Sequence, residues 1–273
     1  MNPPFFTIVL PTYNSASKIG TALDSALCQS YGELELIVVD GLSSDNTPHV
    51  IGDYAAKDSR IKYISEPDEG IYDAMNKGIT QATGQWIYFM GSDDSLYQPD
   101  VLKTVYESII QQNHGKVYYG DVVISGDTNW AYNGEVYDGR FNFQKLIKKN
   151  ICHQSVFYNL DFIKSEIGLF NKKYTICADW DFNFRCWSKT EFIYMDLKVA
   201  NFSAGGESTK YREDSSFTED MVPNILSYFN ISPFDSLVNH PLFPQYGKLL
   251  EMQKKKSYPH YVFDRIKKKM TQH

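Results

Sequence analysis

Four cysteines carry all the thiol chemistry of this 273-residue chain, and no two of them form a C-x-x-C pair. Cys28, Cys152, Cys177 and Cys186 are spaced neither as a zinc site nor as the disulfide framework of a small secreted domain. Reduced thiols in a cytosolic protein are the simplest reading. Long apolar stretches are lacking too. No run approaches the ~18 residues that a membrane helix requires. The opening MNPPFF has no basic stretch ahead of an apolar one, so it does not read as a secretion signal. Positive charge is in short supply: 27 Lys and Arg stand against 33 Asp and Glu, for a net charge of −6. A general basic footprint for nucleic acid is therefore absent. No G-x-G-x-x-G follows the first apolar run, which argues against a nucleotide-sugar dehydrogenase or reductase. No G-x-x-x-x-G-K-[ST] occurs, which excludes a P-loop enzyme. The Gly-rich, basic phosphate loop expected near the start of a nucleotidyltransferase is missing as well.

Apolar residues make up 42% of the chain, enough for one large domain, alone or with a small appendage. Aromatics reach 15%, with 20 Tyr and 17 Phe. That excess suits stacking on bases and sugars, and it also fits a compositional bias of the genome.

The first half alternates strands and helices. Phe6 to Leu10 reads as a buried strand stopped by Pro11, and residues 17–30 as a helix carrying Ile19, Ala22, Leu23, Ala26 and Leu27 at helical spacing. Leu34 to Val39 is a second strand. A helix capped within Ser43 to Asn46 follows, running to about Lys57. Ile61 to Ser65 and Trp86 to Met90 read as strands on either side of a helix over Ile71 to Ala82. Pro99 opens a further helix, where its missing N–H needs no partner. This rhythm implies an α/β fold with a parallel sheet covered on both faces. Ligands of such sheets bind beyond the carboxyl ends of the strands.

The second half is less regular. Val117 to Val123, Ser155 to Tyr158 and Phe192 to Val199 read as strands, Phe143 to Lys149 and Asp179 to Ser188 as helices, and residues 125–140 as a loop. A boundary is placed near residue 215, with the chain from Phe217 onward expected to pack as helices against the body.

Four strand ends carry polar loops: Pro11-Thr12-Tyr13-Asn14, Asp40 to Thr47, Glu66-Pro67-Asp68-Glu69-Gly70, and Gly91-Ser92-Asp93-Asp94. Each alone is ordinary turn chemistry. Together they gather carboxylates at one edge, where repulsion calls for a cation or a hydrogen-bonding ligand. Asp93 and Asp94 behind an apolar strand suit Mg²⁺ or Mn²⁺, which takes one or two protein oxygens and completes its shell with water and phosphates. Asp40 is placed to accept an N–H from a base or a ribose hydroxyl, and Tyr13 offers a ring for stacking.

With these residues in view, the chain resembles family 2 glycosyltransferases of GT-A fold. The resemblance rests on TIVLPTYN (Thr7 to Asn14), VVDGLSSDNT (Val38 to Thr47), EPDEGIYDAMNKGI (Glu66 to Ile79), FMGSDDSLYQPD (Phe89 to Asp100), CHQSVFY (Cys152 to Tyr158) and ADWDFNFR (Ala178 to Arg185). It spans about residues 5–210, and the block from Glu66 is similar to members that build bacterial capsule, O-antigen or exopolysaccharide. It implies a GT-A catalytic domain over residues 1–215, with a nucleotide-sugar-binding half to about residue 125 and an acceptor-binding half over 126–215. A helical, basic extension follows over 216–273.

The resemblance also implies roles. Pro11, Thr12, Tyr13, Asp40 and Asp68 would lie against the nucleotide, usually a uridine one, with Asp93 on the ribose. Asp94 would ligate Mn²⁺ or Mg²⁺ at the diphosphate, and Asp179 would be the catalytic base. His153, Gln154, Trp180 and Asp181 would line the acceptor or donor-sugar side. A single base without an enzyme nucleophile implies an inverting displacement onto a glycan or lipid-linked saccharide hydroxyl. Two departures stand out: Gly91 where many members carry aspartate, and Ala178 where many carry glutamate. They bear on metal affinity and keep open a degenerate, carbohydrate-binding or assembly subunit. Asp181 is the rival base. Two residues apart on a helix do not share a face, so one of the pair should point into the cleft, and Asp179 is favoured. Trp180 and Trp187 read either as sugar platforms or as core, His153 as a ligand or a structural histidine, and Gly205-Gly206-Glu207-Ser208 as a lid or a plain turn.

Basic residues concentrate late, at Lys254, Lys255, Lys256, Arg265, Lys267, Lys268 and Lys269. They form either a solvated helix face or a patch for anionic lipid on the cytoplasmic side of a membrane, where each contributes ~1 kcal/mol. Co-sedimentation with anionic liposomes tests this: full-length protein should pellet and protein lacking the basic tail should not. Equal, negligible pelleting rejects the lipid patch.

Overall fold

The structure is a computed structural model that describes residues 3–127, 131–204 and 214–230. The glycines of the expected lid and the late basic clusters lie outside the described residues. Among the described residues no helix is long and apolar enough to cross a membrane.

The first half follows the expected alternation: β1 (Phe6–Thr12), α1 (Ile19–Leu27), β2 (Leu34–Asp40), α2 (Thr47–Ala55), β3 (Ile61–Ser65), α3 (Ile71–Gln81), β4 (Trp86–Phe89), a two-residue β5 (Ser95–Leu96) and α4 (Val101–Gln112). The second half comprises β6 (Val117–Ser125), a short β7 (Val136–Tyr137), α5 (Phe143–Leu146), β8 (Val156–Asn159), α6 (Leu160–Phe162), α7 (Ala178–Trp187), β9 (Phe192–Ser203) and α8 (Ser215–Tyr228). Pro11 does not stop β1, because the parallel ladder to β2 continues through Pro11 and Thr12 to the end of that strand. The helix expected to be capped within Ser43 to Asn46 starts at Thr47 after Asn46, with Thr47 N–H donating to Asp45 Oδ1 at 2.9 Å, and ends at Ala55, two residues before Lys57.

The sheet runs β3-β2-β1-β4-β8-β6-β9-β5, with β7 paired to β6. Its first four strands are parallel, as the sequence rhythm implies. Beyond β4 the pairing becomes mixed: β8 is antiparallel to both β4 and β6, β5 is antiparallel to β9, and β6 and β9 are parallel. The burial pattern explains why the first strands read as continuous apolar runs. Val9, Ile37, Val39, Ile87 and Phe89 face one core with α3 and α7. Ile8, Leu10, Leu36, Val38 and Tyr88 face the other with α1, α2 and α4. Alternate residues thus enter opposite layers, and both layers are buried.

Helix α8 packs on α7 through polar anchors as well as apolar contact. Asp214 accepts from the N–H groups of Ile176 and Cys177 at 2.9 and 3.1 Å, and from Phe217 N–H at 3.1 Å. The loop before α7 is thereby tied to the start of α8.

At the amino ends of the strands Glu35 is 5% exposed. Its Oε1 accepts from Thr7 Oγ1 and Thr83 N–H, both at 2.6 Å, and Lys62 Nζ stands 2.5 Å from Oε2. Removing the carboxylate leaves buried donors unmatched. Glu35→Ala should lose roughly 2–4 kcal/mol of stability in urea denaturation, whereas Lys62→Ala, whose ammonium is half exposed, should lose less than about 1 kcal/mol.

Candidate active site

The loops after β1, β2 and β4 are stitched into one rim. Asn14 takes a left-handed conformation, with φ 48°. Its Oδ1 accepts from Ser44 N–H at 2.9 Å, and its own N–H donates to Ser43 Oγ at 2.8 Å. Ser15 N–H reaches Thr47 Oγ1, and the Ser15 and Ser92 hydroxyls lie 2.8 Å apart. Lys18 Nζ stands 3.3 Å from Asp93. The loop after β3 joins at Gly41, where an added β-carbon would run into the Asp68 carboxylate; Asp68 in turn accepts from Gly70 N–H at 2.9 Å. Asp40 and the Asp93-Asp94 pair therefore share one end of the sheet.

Within this rim the nucleotide-side residues are not equivalent. Tyr13 is 63% exposed and free to stack on a planar ligand. Pro11 is buried, and the buried Thr12 Oγ1 has no hydrogen-bond partner. Asp40 departs from the expectation of a directly exposed acceptor. It is fully buried, and its carboxylate takes the Ser43 hydroxyl, Ser65 Oγ at 2.8 Å and Tyr63 Oη at 3.2 Å. A desolvated carboxylate needs such donors. In this conformation Asp40 shapes the loop that a base would meet.

A cavity of about 760 Å³ opens beside the rim, lined among others by Gly91, Asp93, Asp94, His153, Gln154, Asp179 and Trp180. Asp94 is 3% exposed. Its oxygens accept from Ser203 N–H and Gln154 Nε2, each at 2.8 Å. Burial, reinforced by the charge of Asp93, pushes its carboxyl up to about 6 against these hydrogen bonds. Gly91 now has a physical reason: a β-carbon there would stand 2.5 Å from Asp94 Oδ2, so a larger residue would displace Asp94 from these donors. Ala178 is explained as well, being fully buried at the start of α7 where a glutamate would lose its water.

Asp179, also in the lining of this cavity, occupies the first turn of α7, where the helix dipole favours negative charge. Its Oδ1 accepts from Trp180 N–H at 2.9 Å and lies 3.1 Å from Tyr72 Oη. Its Oδ2 accepts from Asn150 Nδ2 at 3.0 Å and faces His153 Nδ1 at 3.3 Å. Burial and the Asp179 charge hold the Tyr72 phenol well above its ordinary range. Asp181 points elsewhere. It is 1% exposed, paired with Arg185 at 3.0 Å, and it accepts from Tyr228 Oη and Asn224 Nδ2 of α8. Unlike Asp179, it does not line the cavity, because residues two apart project to different sides of the helix. Trp180 serves two purposes, donating its indole N–H to Leu146 O at 2.7 Å and lining the cavity. Trp187 packs on Phe192.

Several residues here were not singled out from sequence. Tyr72, Asn150 and Asn183 support Asp179: Asn183 Nδ2 donates to Asn150 Oδ1, and Tyr158 Oη donates to Asn183 Oδ1, each at 2.8 Å. The i,i+4 spacing of Asp179 and Asn183 on one helix was the available signal. Ser203 and Asn150 come from other elements and left none.

The family model described as Glycosyl transferase family 2 matches residues 7–176. The chain belongs to this family. It is 38% identical over 221 residues to a PGL/p-HBAD biosynthesis glycosyltransferase of Mycobacterium tuberculosis, covering 80% of this chain and 84% of that one. The fold is similar to that of residues 1–349 of S. aureus TarS in complex with UDP-GlcNAc, with a TM-score of 0.67 at 19% identity over 92% of this chain and 73% of that 1–349 chain. It is also similar to the mannosyltransferase PcManGT of Pyrobaculum calidifontis in complex with GDP-Man and Mn²⁺. That match has a TM-score of 0.56 at 15% identity, over 100% of this chain and 82% of that one. The chain is thus a glycosyltransferase of GT-A fold.

The donor set at Asp93 and Asp94 fits a divalent cation held only in part by protein. Asp94 is a desolvated carboxylate beside a second one, so a cation would relieve both burial and repulsion. Among the described residues no group of three or more His, Cys, Asp or Glu could hold an ion. Phosphate oxygens and water would fill the remaining positions.

The raised carboxyl of Asp94 predicts a pH dependence in metal-free protein. Between about pH 4 and 6 the unfolded chain has released this proton while the folded chain retains it, so stability falls as pH rises through that window and then levels. Thermal melts in a chelating buffer should show this fall, and Asp94→Asn should remove it.

Proposed function

We propose that this chain transfers a sugar from a UDP-sugar to a hydroxyl of a glycan or lipid-linked saccharide during synthesis of bacterial surface polysaccharide. The observation that carries the reading is that Asp94 and Asp179 line one cavity beside a rim of stitched loops. The family membership and the block from Glu66 to Ile79 support it. UDP-GlcNAc and GDP-Man in the two structural relatives support a nucleotide-sugar donor, and Mn²⁺ in one supports a divalent cation. The domain assignment goes with this reading: a donor half to about residue 125, an acceptor half over 126–215, and a basic extension in peripheral contact with the cytoplasmic face of a membrane.

Tyr13 would present its ring to the nucleoside, with the buried Pro11 and Thr12 leading into its loop and Asp40 and Asp68 shaping the neighbouring loops. Asp93 would meet the ribose. Asp94, aided by Asp93, would hold Mn²⁺ or Mg²⁺, which supplies electrostatic stabilisation to the charge developing on the diphosphate. Gln154 and Ser203 N–H fix the direction of the Asp94 carboxylate. On the acceptor side Asp179 would act as the general base, taking the hydroxyl proton as attack proceeds. Its Asn150–Asn183–Tyr158 support keeps that charge in place. Trp180 offers a ring to sugar C–H groups along the wall of the same cavity. One carboxylate and no enzyme nucleophile correspond to a single displacement with inversion at the anomeric carbon.

A thermal-shift screen of UDP-sugars with and without Mn²⁺ tests donor binding, because a ligand of the native state alone raises its melting temperature. Asp179→Asn should keep the donor-induced shift and lower transfer by about 10²–10⁴-fold. Normal turnover of that variant would place the base elsewhere.

A further inference from the structure

We propose that Lys148 and Lys149 select an acceptor whose receiving sugar bears an oxyanion substituent, a phosphate or a carboxylate. This rests on the transferase reading and names the acceptor class for it. Both lysines line the cavity that Asp94 and Asp179 line. Two hydrogen bonds fix the segment that carries them. Ahead of the pair, Leu146 O accepts from the Trp180 indole N–H at 2.7 Å. Behind it, Asn150 Nδ2 donates to Asp179 Oδ2 at 3.0 Å. Both anchors belong to the first turn of α7. The lysines are thus carried by the segment bonded to Asp179, and not by the rim loop that carries Asp93 and Asp94.

The charge of this segment is unmatched. Residues 138–150 hold Arg140, Lys145, Lys148 and Lys149 against a single acid, Asp138, in a chain whose net charge is −6. Asp138 is shared, with Lys149 Nζ at 2.8 Å and Lys145 Nζ at 3.4 Å. Lys149 Nζ also stands 3.9 Å from the centre of the Tyr137 ring. Among the described residues Lys148 has no carboxylate partner. Adjacent ammonium groups repel each other, and a concave wall concentrates their field. An arriving anion removes that cost.

The donor is not that anion. Its diphosphate belongs with the cation at Asp93 and Asp94, whereas Lys148 and Lys149 flank the base. An anionic acceptor brought to Asp179 would otherwise meet only repulsion from Asp179 and Asp94. Two ammonium groups on the same wall offset it, and charge complementarity of this kind discriminates between partners more than it adds raw affinity. Lysine suits the task, because its flexible stem carries a point charge with three donors to a phosphate or carboxylate oxygen.

The test uses the full chain, a UDP-sugar and Mn²⁺, with acceptors built on the same sugars in three forms: neutral methyl glycoside, glycosyl 1-phosphate and glycuronide. Wild type should favour one charged form over the neutral one by about tenfold or more in kcat/KM. Which form it favours tells phosphate from carboxylate. The preference should shrink as salt is raised, because screening weakens it. Lys148→Gln, at an exposed position, and Lys148→Gln with Lys149→Gln should raise KM for the charged acceptor by about 10–100-fold, with kcat near wild type. Lys148→Arg should keep the preference. Equal kcat/KM for charged and neutral acceptors in wild type would overturn the proposal and leave the transferase reading intact. So would loss of the thermal shift given by UDP and Mn²⁺ in the glutamine variants, since the lysines would then serve the donor. Absence of sugar transfer by the wild-type protein would overturn both.

Discussion

Negative charge held out of water without a matching cation is the constraint around which the functional end of this protein is arranged. Asp40, Asp94 and Asp179 are each buried or nearly so, and each is satisfied chiefly by neutral donors. Ser43 and Ser65 serve Asp40, Gln154 and the Ser203 N–H serve Asp94, and Asn150 with the Trp180 N–H serves Asp179. Neutral hydrogen bonds compensate only part of the desolvation of a carboxylate. The balance is left for something that arrives from solution. A cation at Asp94 is a species whose charge this arrangement favours.

That arrangement needs two sheet halves of different character. The parallel half, β3-β2-β1-β4, brings four loops to one rim because every one of its strands ends on the same side. The mixed half supplies what the first cannot: β8 runs against β4 and delivers His153 and Gln154 from its own start to the end of β4. The end of β9 adds the Ser203 N–H. Helix α7 adds Asp179 to the cavity lining, and α8 is tied to it through hydrogen bonds of Asp181 and Asp214.

Much of the first half was legible because its signals are local. Apolar runs in Phe6 to Leu10 and Leu34 to Val39, turn residues after each, and helical spacing in Ile71 to Ala82 each depend on neighbours in sequence. The strand and helix limits shift by a few residues where pairing overrides a local breaker, as at Pro11. The second half was less legible because β6, β8 and β9 pair non-sequentially and in mixed directions, which no periodicity encodes.

The sequence by itself determined the α/β class, the rim of polar loops, the pairing of Asp93 with Asp94, and the rule that Asp179 and Asp181 face different ways. Local geometry suffices for each. Only the tertiary structure decided which of those two faces the cavity, that Asp40 is sealed beneath Ser43, and that Gly91 makes room for Asp94. It alone showed that His153 lies against Asp179 with one ring nitrogen unmatched. Burial and hydrogen-bond partnership are properties of residues far apart in the chain. They exist only once the sheet has brought β4, β8 and α7 to the same end.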